Sequence, residues 1–129
     1  MPYENIWEET GVYIRFTGVA NTRDIIESNE ALYKDIRFDT IMSYQIADLL
    51  GCDKIDCKGD EVREIARRDA EASKRKPGVR VALVTDMQVI YGYSRMYQIC
   101  TDQSSWETEI FDNLAAAREW IKSGPVKKV

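Results

Sequence analysis

Histidine is absent from this chain of 129 residues, and its absence closes several common routes to catalysis. Without histidine the chain can form neither a Ser-His-Asp triad nor a Cys-His pair, and it cannot bind zinc through imidazole. The sequence also has no glycine-rich loop of the kind that cradles phosphate groups. We therefore predict a binding protein rather than an enzyme, with no cofactor and no metal.

Cysteine, proline and glycine are scarce as well, at three, three and seven residues. Three cysteines are an odd number and do not read as a disulfide framework, so they fit a reducing compartment. The composition, with 44% hydrophobic and 31% charged residues, is typical of a globular protein. The length suits one domain. We assign that domain to residues 1–124 and predict a frayed tail at 125–129.

Long apolar runs and an excess of positive charge are also missing. No apolar stretch approaches the roughly 20 residues that a membrane-spanning helix needs, and the first residues do not resemble an export signal. Eighteen Lys and Arg against 22 Asp and Glu give a net charge of −4, which argues against attraction to nucleic acid or anionic lipid. We expect a cytoplasmic protein with no nucleic-acid partner and no membrane insertion.

What the sequence does contain is an alternation of strand and helix patterns. A nearly continuous apolar run at 79–84 predicts a central strand that is covered on both faces. The alternation implies βαβ crossovers and a largely parallel sheet. The predicted elements are a hairpin at 6–16, a helix at 22–35 capped by Asn21, a strand at 40–48, a helix capped by Asp60, the strand at 79–84, a helix with Tyr93, Met96, Tyr97 and Cys100 inward, a strand at 106–111, and a last helix capped by Asp112 or Asn113 and stopped by Gly124-Pro125.

Three predicted loops lie where the strands of such a sheet end, which is where ligands and partners bind in open α/β folds. They are 49–59, 85–92 and 18–21. The first contains the most specific pattern in the sequence, Asp48-Leu49-Leu50-Gly51 followed by Ile55-Asp56-Cys57-Lys58-Gly59.

That spacing resembles the STAS domain, in which a strand ends in D-L-S-G and I-D-S-S-G then opens a helix. In that family the first serine after the aspartate accepts a phosphate, and the helix start docks on a partner kinase. Cys57 and Lys58 stand at the two serine positions here. The resemblance therefore implies that the phosphorylation switch is missing. The matching positions are Asp48, Leu49, Gly51, Ile55, Asp56 and Gly59.

The rest of the chain resembles the bacterial SpoIIAA-like branch of the same superfamily. The resembling segments are 80–84, Y-G-Y-S-R-M-Y at 91–97, and I-F-D at 110–112 followed by an alanine-rich helix that ends in Trp120. This resemblance implies a four-fold β-α repeat, with helices on a largely parallel sheet and an N-terminal hairpin strand. Some members are labelled by similarity to lipid-carrying domains.

Our first hypothesis is a regulatory module that binds another protein through the loop and helix start at Asp56 to Glu61. The acidic residues there lack the ligand spacing of a calcium loop, so we favour a solvated acidic loop over a cation site. The predicted partner-binding residues are Asp56, Cys57, Lys58, Gly59, Asp60 and Glu61.

A second hypothesis is a carrier of a small apolar or lipid-like ligand. Arg95 would offer a forked donor, and Tyr91 and Tyr93 flat faces, around a close backbone approach at Gly92. The competing interpretation is that the glycine lets the chain enter a helix while the tyrosines cover the edge of the sheet.

A third hypothesis is a thiol redox sensor that uses Cys57 with Cys52 as resolving partner, because a helix N-terminus lowers the pKa of a thiol. Most cysteines outside disulfides are small buried residues, and we expect Cys100 to be one. Tyr3 and Trp7 on an edge hairpin would suit a homodimer, because an uncovered edge strand invites pairing.

Overall fold

The computed structural model describes residues 2–123, which form one five-stranded sheet in the order β1-β2-β3-β4-β5 with helices on both faces. Strand β1 is antiparallel to β2, and every other neighbouring pair is parallel. The predicted hairpin, largely parallel sheet and packed helices are confirmed. The elements are β1 Tyr3–Trp7, β2 Gly11–Asn21, α1 Thr22–Lys34, α2 Ile36–Thr40, β3 Tyr44–Asp56, α3 Gly59–Arg75, β4 Arg80–Val84, α4 Gln88–Cys100, β5 Glu107–Phe111 and α5 Leu114–Lys122.

The sheet separates two apolar cores. The larger core lies under α1, α3 and α4, and the smaller one under α5. All five residues of β4 are buried because alternate side chains enter the two cores. This confirms the strand predicted to be covered on both faces, which lies between β3 and β5.

The predicted loops at 18–21 and 49–59 are wrong, because β2 continues through Asn21 and β3 continues through Asp56. The second half of β2 pairs with this stretch, and the pairing includes irregularities after Arg15 and after Gly18. Gly18 has a φ of 68°, a conformation that favours glycine and fits the bulge. The polar and glycine-rich sequence is thus held as a strand by hydrogen bonds to a distant segment.

The helix starts also differ from the prediction. Lys58, not Asp60, is the N-cap of α3, and its backbone N–H donates to Glu61 Oε1 at 2.8 Å. Asp60 lies in the first turn, where the helix dipole favours a carboxylate. The short helix α2 was not predicted, and it includes Thr40, which we had placed in a strand.

The predicted loop at 85–92 is wrong as well, because α4 begins at Gln88. Cys100, expected to pack inward, is exposed. It follows the buried Ser94 by six residues, which turns it about 120° away from the inward face of the helix. Tyr3 and Trp7 are half-buried against the larger core, so they do not form an exposed aromatic edge.

The caps predicted for α1 and α5 are confirmed where the structure describes them. Asn21 caps α1 in a capping box with Asp24. None of the helices within residues 2–123 has both the length and the apolar character needed to cross a bilayer. The predicted helix stop at Gly124-Pro125 and the frayed tail at 125–129 lie outside the described residues.

Replacing Asn113 with alanine should lower the free energy of unfolding by about 1 kcal/mol. Asn113 Oδ1 accepts the Ala116 N–H at 2.8 Å, and this bond satisfies one of the free donors at the start of α5. Urea denaturation measures the change. Asp102→Ala is the control, since Asp102 is exposed and lies outside α5, and an equal loss in both variants would contradict the assignment of the cap.

Candidate functional site

The predicted partner-binding residues lie at the carboxyl end of β3, where the strand ends and α3 begins. We call residues 56–61 the α3 start. Asp56 is paired with Asn21 at the end of β2, so both strands finish at the same edge of the sheet. Asp56, Lys58 and Asp60 are exposed, Gly59 and Glu61 are half-buried, and Cys57 is buried.

Neighbouring residues hold the α3 start in place. A Cβ added at Gly59 would lie 3.8 Å from Met96 Cε, so α4 packs directly against the first turn of α3. Glu61 fixes the backbone at Lys58 through the bond described above. The exposed side chains are therefore attached to a backbone that two helices and a strand restrain.

Asp48, the first residue of the motif, is buried and holds the local backbone in place. It is 7% exposed, accepts a hydrogen bond from the Tyr13 hydroxyl, and accepts the Leu50 N–H at 3.0 Å. These bonds fix the backbone where β3 turns from the main sheet into its extension.

Cys57 is only 5% exposed, beneath the α3 start. Burial is the main reason that the pKa of its thiol is raised; the nearby Thr22 hydroxyl opposes this, and the carboxylates of the α3 start add to it. Burial also raises the pKa of Cys52. Thiols with raised pKa values are protonated at neutral pH and are weak nucleophiles, which argues against the redox hypothesis.

Cys100 should therefore react with iodoacetamide at pH 7 before either of the other two thiols. Its exposure gives the reagent access, whereas Cys52 and Cys57 are buried. Mass spectrometry of the native protein over time should show one fast alkylation, and Cys100→Ser should remove it. A fast alkylation that remains in Cys100→Ser and maps to Cys57 would instead favour the redox hypothesis.

The acidic residues near the α3 start do not converge. Among residues 2–123, no three carboxylate or thiol side chains are placed to share a metal ion. The arrangement is that of an exposed, mixed-charge surface.

The four residues of the predicted ligand-binding site do not face one common space. Tyr91 is 51% exposed, Gly92 is exposed on the same helix, and Arg95 is exposed and donates to Gln98 Oε1 at 2.6 Å. Of the four predicted ligand-binding residues, Tyr93 lines a partly open cavity, whereas Arg95 lines a separate polar cleft between α4 and β5.

This cavity lies in the larger core, between the sheet and helices α1, α3 and α4. Its volume is about 100 Å³. An apolar cavity of about 150 Å³ is just large enough to bind benzene, so a lipid chain does not fit in the cavity as it stands.

Sequence reasoning missed a buried carboxylate at the wall of the cavity. Asp69 is 4% exposed and accepts hydrogen bonds from Asn29 Nδ2 at 3.2 Å, from Tyr97 Oη at 2.5 Å and from the Tyr33 hydroxyl. Burial raises the pKa of Asp69 to about 7, against the opposing effect of the bond from Tyr97. In the sequence, the one sign of this burial was the position of Asp69 four residues after Ile65, because residues four apart lie on the same face of a helix.

Solved structures with a similar backbone include the following three. The anti-sigma factor antagonist SpoIIAA in its unphosphorylated form has a TM-score of 0.61 at 10% identity, over 95% of this chain and 99% of its own. The Bacillus cell fate determinant SpoIIAA in its phosphorylated form has 0.56 at 13% identity, over 92% and 98%. An uncharacterized DUF3478 protein with a SpoIIAA-like fold, from Shewanella loihica PV-4, has 0.53 at 13% identity, over 92% and 90%.

The chain has the SpoIIAA-like fold. No protein-family model and no curated protein sequence matches it. The predicted fold is thus confirmed by structure, and at this level of identity the likeness concerns the SpoIIAA-like backbone alone.

Proposed function

We propose that this chain is a non-enzymatic regulatory module of the STAS-like type that binds another protein through the α3 start. The observation that carries the proposal is the exposure of Asp56, Lys58 and Asp60 at the carboxyl end of β3, on a fold shared with an anti-sigma factor antagonist. Ligands and partners of open α/β sheets bind at this edge.

The restraint of the α3 start supports the proposal. A surface that is already ordered loses less conformational entropy on binding than a flexible loop does. The side chain of Glu61, the pairing of Asp56 in the sheet and the packing of Met96 under Gly59 all limit movement there. The charged side chains are thus presented to a partner with little rearrangement.

The proposed module works without phosphorylation at this position. Cys57 stands where the resemblance to the STAS motif puts the acceptor hydroxyl, and its side chain is buried. In this proposal the partner recognises the exposed charged side chains of the α3 start, and phosphorylation of residue 57 does not switch the binding on or off.

The other hypotheses have weaker support. The small cavity argues against a lipid carrier, and the burial of Cys57 argues against a redox sensor. A homodimer through the free edge of β1 stays a proposal, supported by the terminal position of that strand in the sheet.

Asp56→Arg should reduce capture of the partner at least about tenfold, because charge reversal within a bound surface costs about 1.4 kcal/mol or more. The measurement is a pull-down of tagged protein from a lysate of the organism that encodes the chain, quantified by mass spectrometry. Asp102→Arg is the matched control. It reverses an exposed aspartate just after α4, at the opposite end of the sheet.

A protein that wild type and Asp102→Arg retain, and that Asp56→Arg loses, would support the proposal. Equal retention of every captured protein by all three forms would refute it. Circular dichroism of each variant shows that the substitutions leave the fold intact.

A further inference from the structure

Strand β5 forms one edge of the sheet, and no strand within residues 2–123 lies beside its outer side. Glu107 donates its N–H to the Val79 carbonyl, so it faces β4. Alternate residues of a strand direct their backbone groups to opposite sides, and Thr108 and Ile110 therefore face outward. Among their outward groups, the Thr108 carbonyl alone has a partner in the described residues, Gln98 Nε2 at 2.6 Å.

The bond from Gln98 shows what this edge accepts. A side-chain carboxamide offers the same kind of N–H donor as a peptide bond, so Gln98 stands where an amide of a neighbouring strand would lie. Gln98 is half-buried, and its Oε1 accepts from the exposed Arg95 at 2.6 Å. An added strand that donates to the Thr108 carbonyl releases the Gln98 side chain to solvent.

The polar cleft between α4 and β5 lies beside this edge. Its volume of about 540 Å³ is within the usual range of ligand sites. Thr108 lines the cleft and is 8% exposed, and its Oγ1 is buried with no hydrogen-bond partner among the described residues. Native structures satisfy most buried polar side-chain atoms. Because threonine pairs with threonine or serine across neighbouring strands, this hydroxyl group favours an added strand with such a side chain opposite.

The charges along β5 select the occupant. Glu107 and Glu109 are exposed on the face of the strand opposite to Thr108. Glu107 Oε1 accepts from the buried Arg80 at 2.9 Å while the glutamate side chain stays 58% exposed, and Glu109 has no ion-pair partner within residues 2–123. A second copy of the chain paired along β5 would bring glutamates of two chains together, which is unfavourable, whereas lysine or arginine on an added strand is favourable there.

We propose that the outer edge of β5 binds an extended, basic segment of a partner protein, which adds to the sheet as a strand. Lysine or arginine side chains of the segment lie opposite Glu107 and Glu109, and a serine or threonine between them lies opposite Thr108. This edge lies where α4 ends and β5 begins, whereas the α3 start lies where β3 ends. The two surfaces are separate, and either one can bind without the other.

The acetylated and amidated peptide K-T-K-T-K is a suitable probe, because an extended strand places its lysines on one face and its threonines on the other. E-T-E-T-E is its match of opposite charge. Titration into ¹⁵N-labelled full-length protein, followed by NMR, should shift the amide signals of residues 107–111 and the side-chain amide signal of Gln98. We expect a dissociation constant on the order of 1 mM for the lysine peptide. The glutamate peptide should bind at least about tenfold more weakly.

Glu109→Lys tests the charge selection. Glu109 is exposed, so the variant should fold, and it should lose the preference for the lysine peptide. Asp86→Lys makes the same change of charge at an exposed position just after β4, and it should keep the preference of the wild type. No shifts at residues 107–111, an unchanged preference in Glu109→Lys, or an equal loss of preference in Asp86→Lys would overturn the proposal.

Two N-methylated forms of the lysine peptide test the addition of a strand. Methylation of either the lysine amides or the threonine amides removes N–H donors from one side of an extended strand, and only one side faces β5. One form should therefore bind about as well as the parent peptide, and the other at least about tenfold more weakly. Equal affinities of the two forms would show that no strand is added and would overturn the proposal.

Discussion

The free energy of unfolding should fall by about 2 to 3 kcal/mol as the pH rises from 5 to 8. The cause is Asp69, whose pKa is raised from 3.8 to about 7 by burial in the folded protein. Urea denaturation at intervals of half a pH unit measures the change. The absence of histidine makes the experiment unusually clean, because histidine is the side chain that ordinarily titrates in this range.

The direction follows from proton linkage. The folded state of Asp69 binds a proton more tightly than the unfolded state, so its contribution to stability is fully present below pH 3.8 and is lost as the pH rises through about 7. Carboxylates with lowered pKa values act in the opposite direction and lose their contributions at acid pH, below the tested range. Those carboxylates are Glu8, Asp35, Glu64 and Glu71.

Asp69→Asn is the control for this prediction. Asparagine has nearly the same shape but does not titrate, so the variant should have almost constant stability between pH 5 and 8. A wild-type protein with the same flat profile would show that Asp69 titrates as an ordinary exposed carboxyl group, and the account of the buried cluster would then be wrong.

Replacing Phe38 with alanine should lower the free energy of unfolding by about 3 to 5 kcal/mol, the usual cost of deleting a large buried aromatic side chain. Phe38 is fully buried. Its ring makes an edge contact with Tyr33 at 5.3 Å between centroids, lies 6.3 Å from Trp106, and lies beneath the Arg75 guanidinium at 4.6 Å. These contacts join α1, α3 and the residue before β5 to the short helix α2.

Ile36→Ala is the matched control, because Ile36 belongs to the same helix but is 75% exposed. Its effect should be within about 0.5 kcal/mol of zero. Similar losses in both variants would show that α2 is stabilised by its own helix propensity rather than by the packing of Phe38.

Those features of the fold that depend on local patterns could be read from the sequence. The apolar run of β4 and the side-chain caps at Asn21 and Asn113 act within a few residues of themselves. The order of residues within a few positions was therefore enough to predict this strand and these caps.

Features that depend on distant segments could not be read in this way. The extension of β3 through Asp56 has loop-like composition and becomes a strand only because β2 pairs with it. Helix α2 is five residues long, too short to show a helical period. Its anchor, Phe38, is held by residues from other elements.

The same contrast between local patterns and contacts of distant segments applies to the candidate sites. The α3 start was recognised from the spacing of a motif, and the structure places its charged residues at one exposed edge. Asp69 lies in α3 and its hydrogen-bond donors lie in α1 and α4, so no window of sequence contains them together. Residues 85–92 were expected to be a loop, whereas α4 already contains Tyr91 and Gly92, and both are exposed on it.

Hydrogen–deuterium exchange of the complex with the captured partner tests the central claim most directly. The account predicts slower exchange at residues 56–61 and in the first turn of α3, with no change in α5 on the opposite face of the sheet. Protection confined to α5 or to the edge strand β5, with the α3 start unchanged, would contradict the claim that this protein binds its partner through the α3 start.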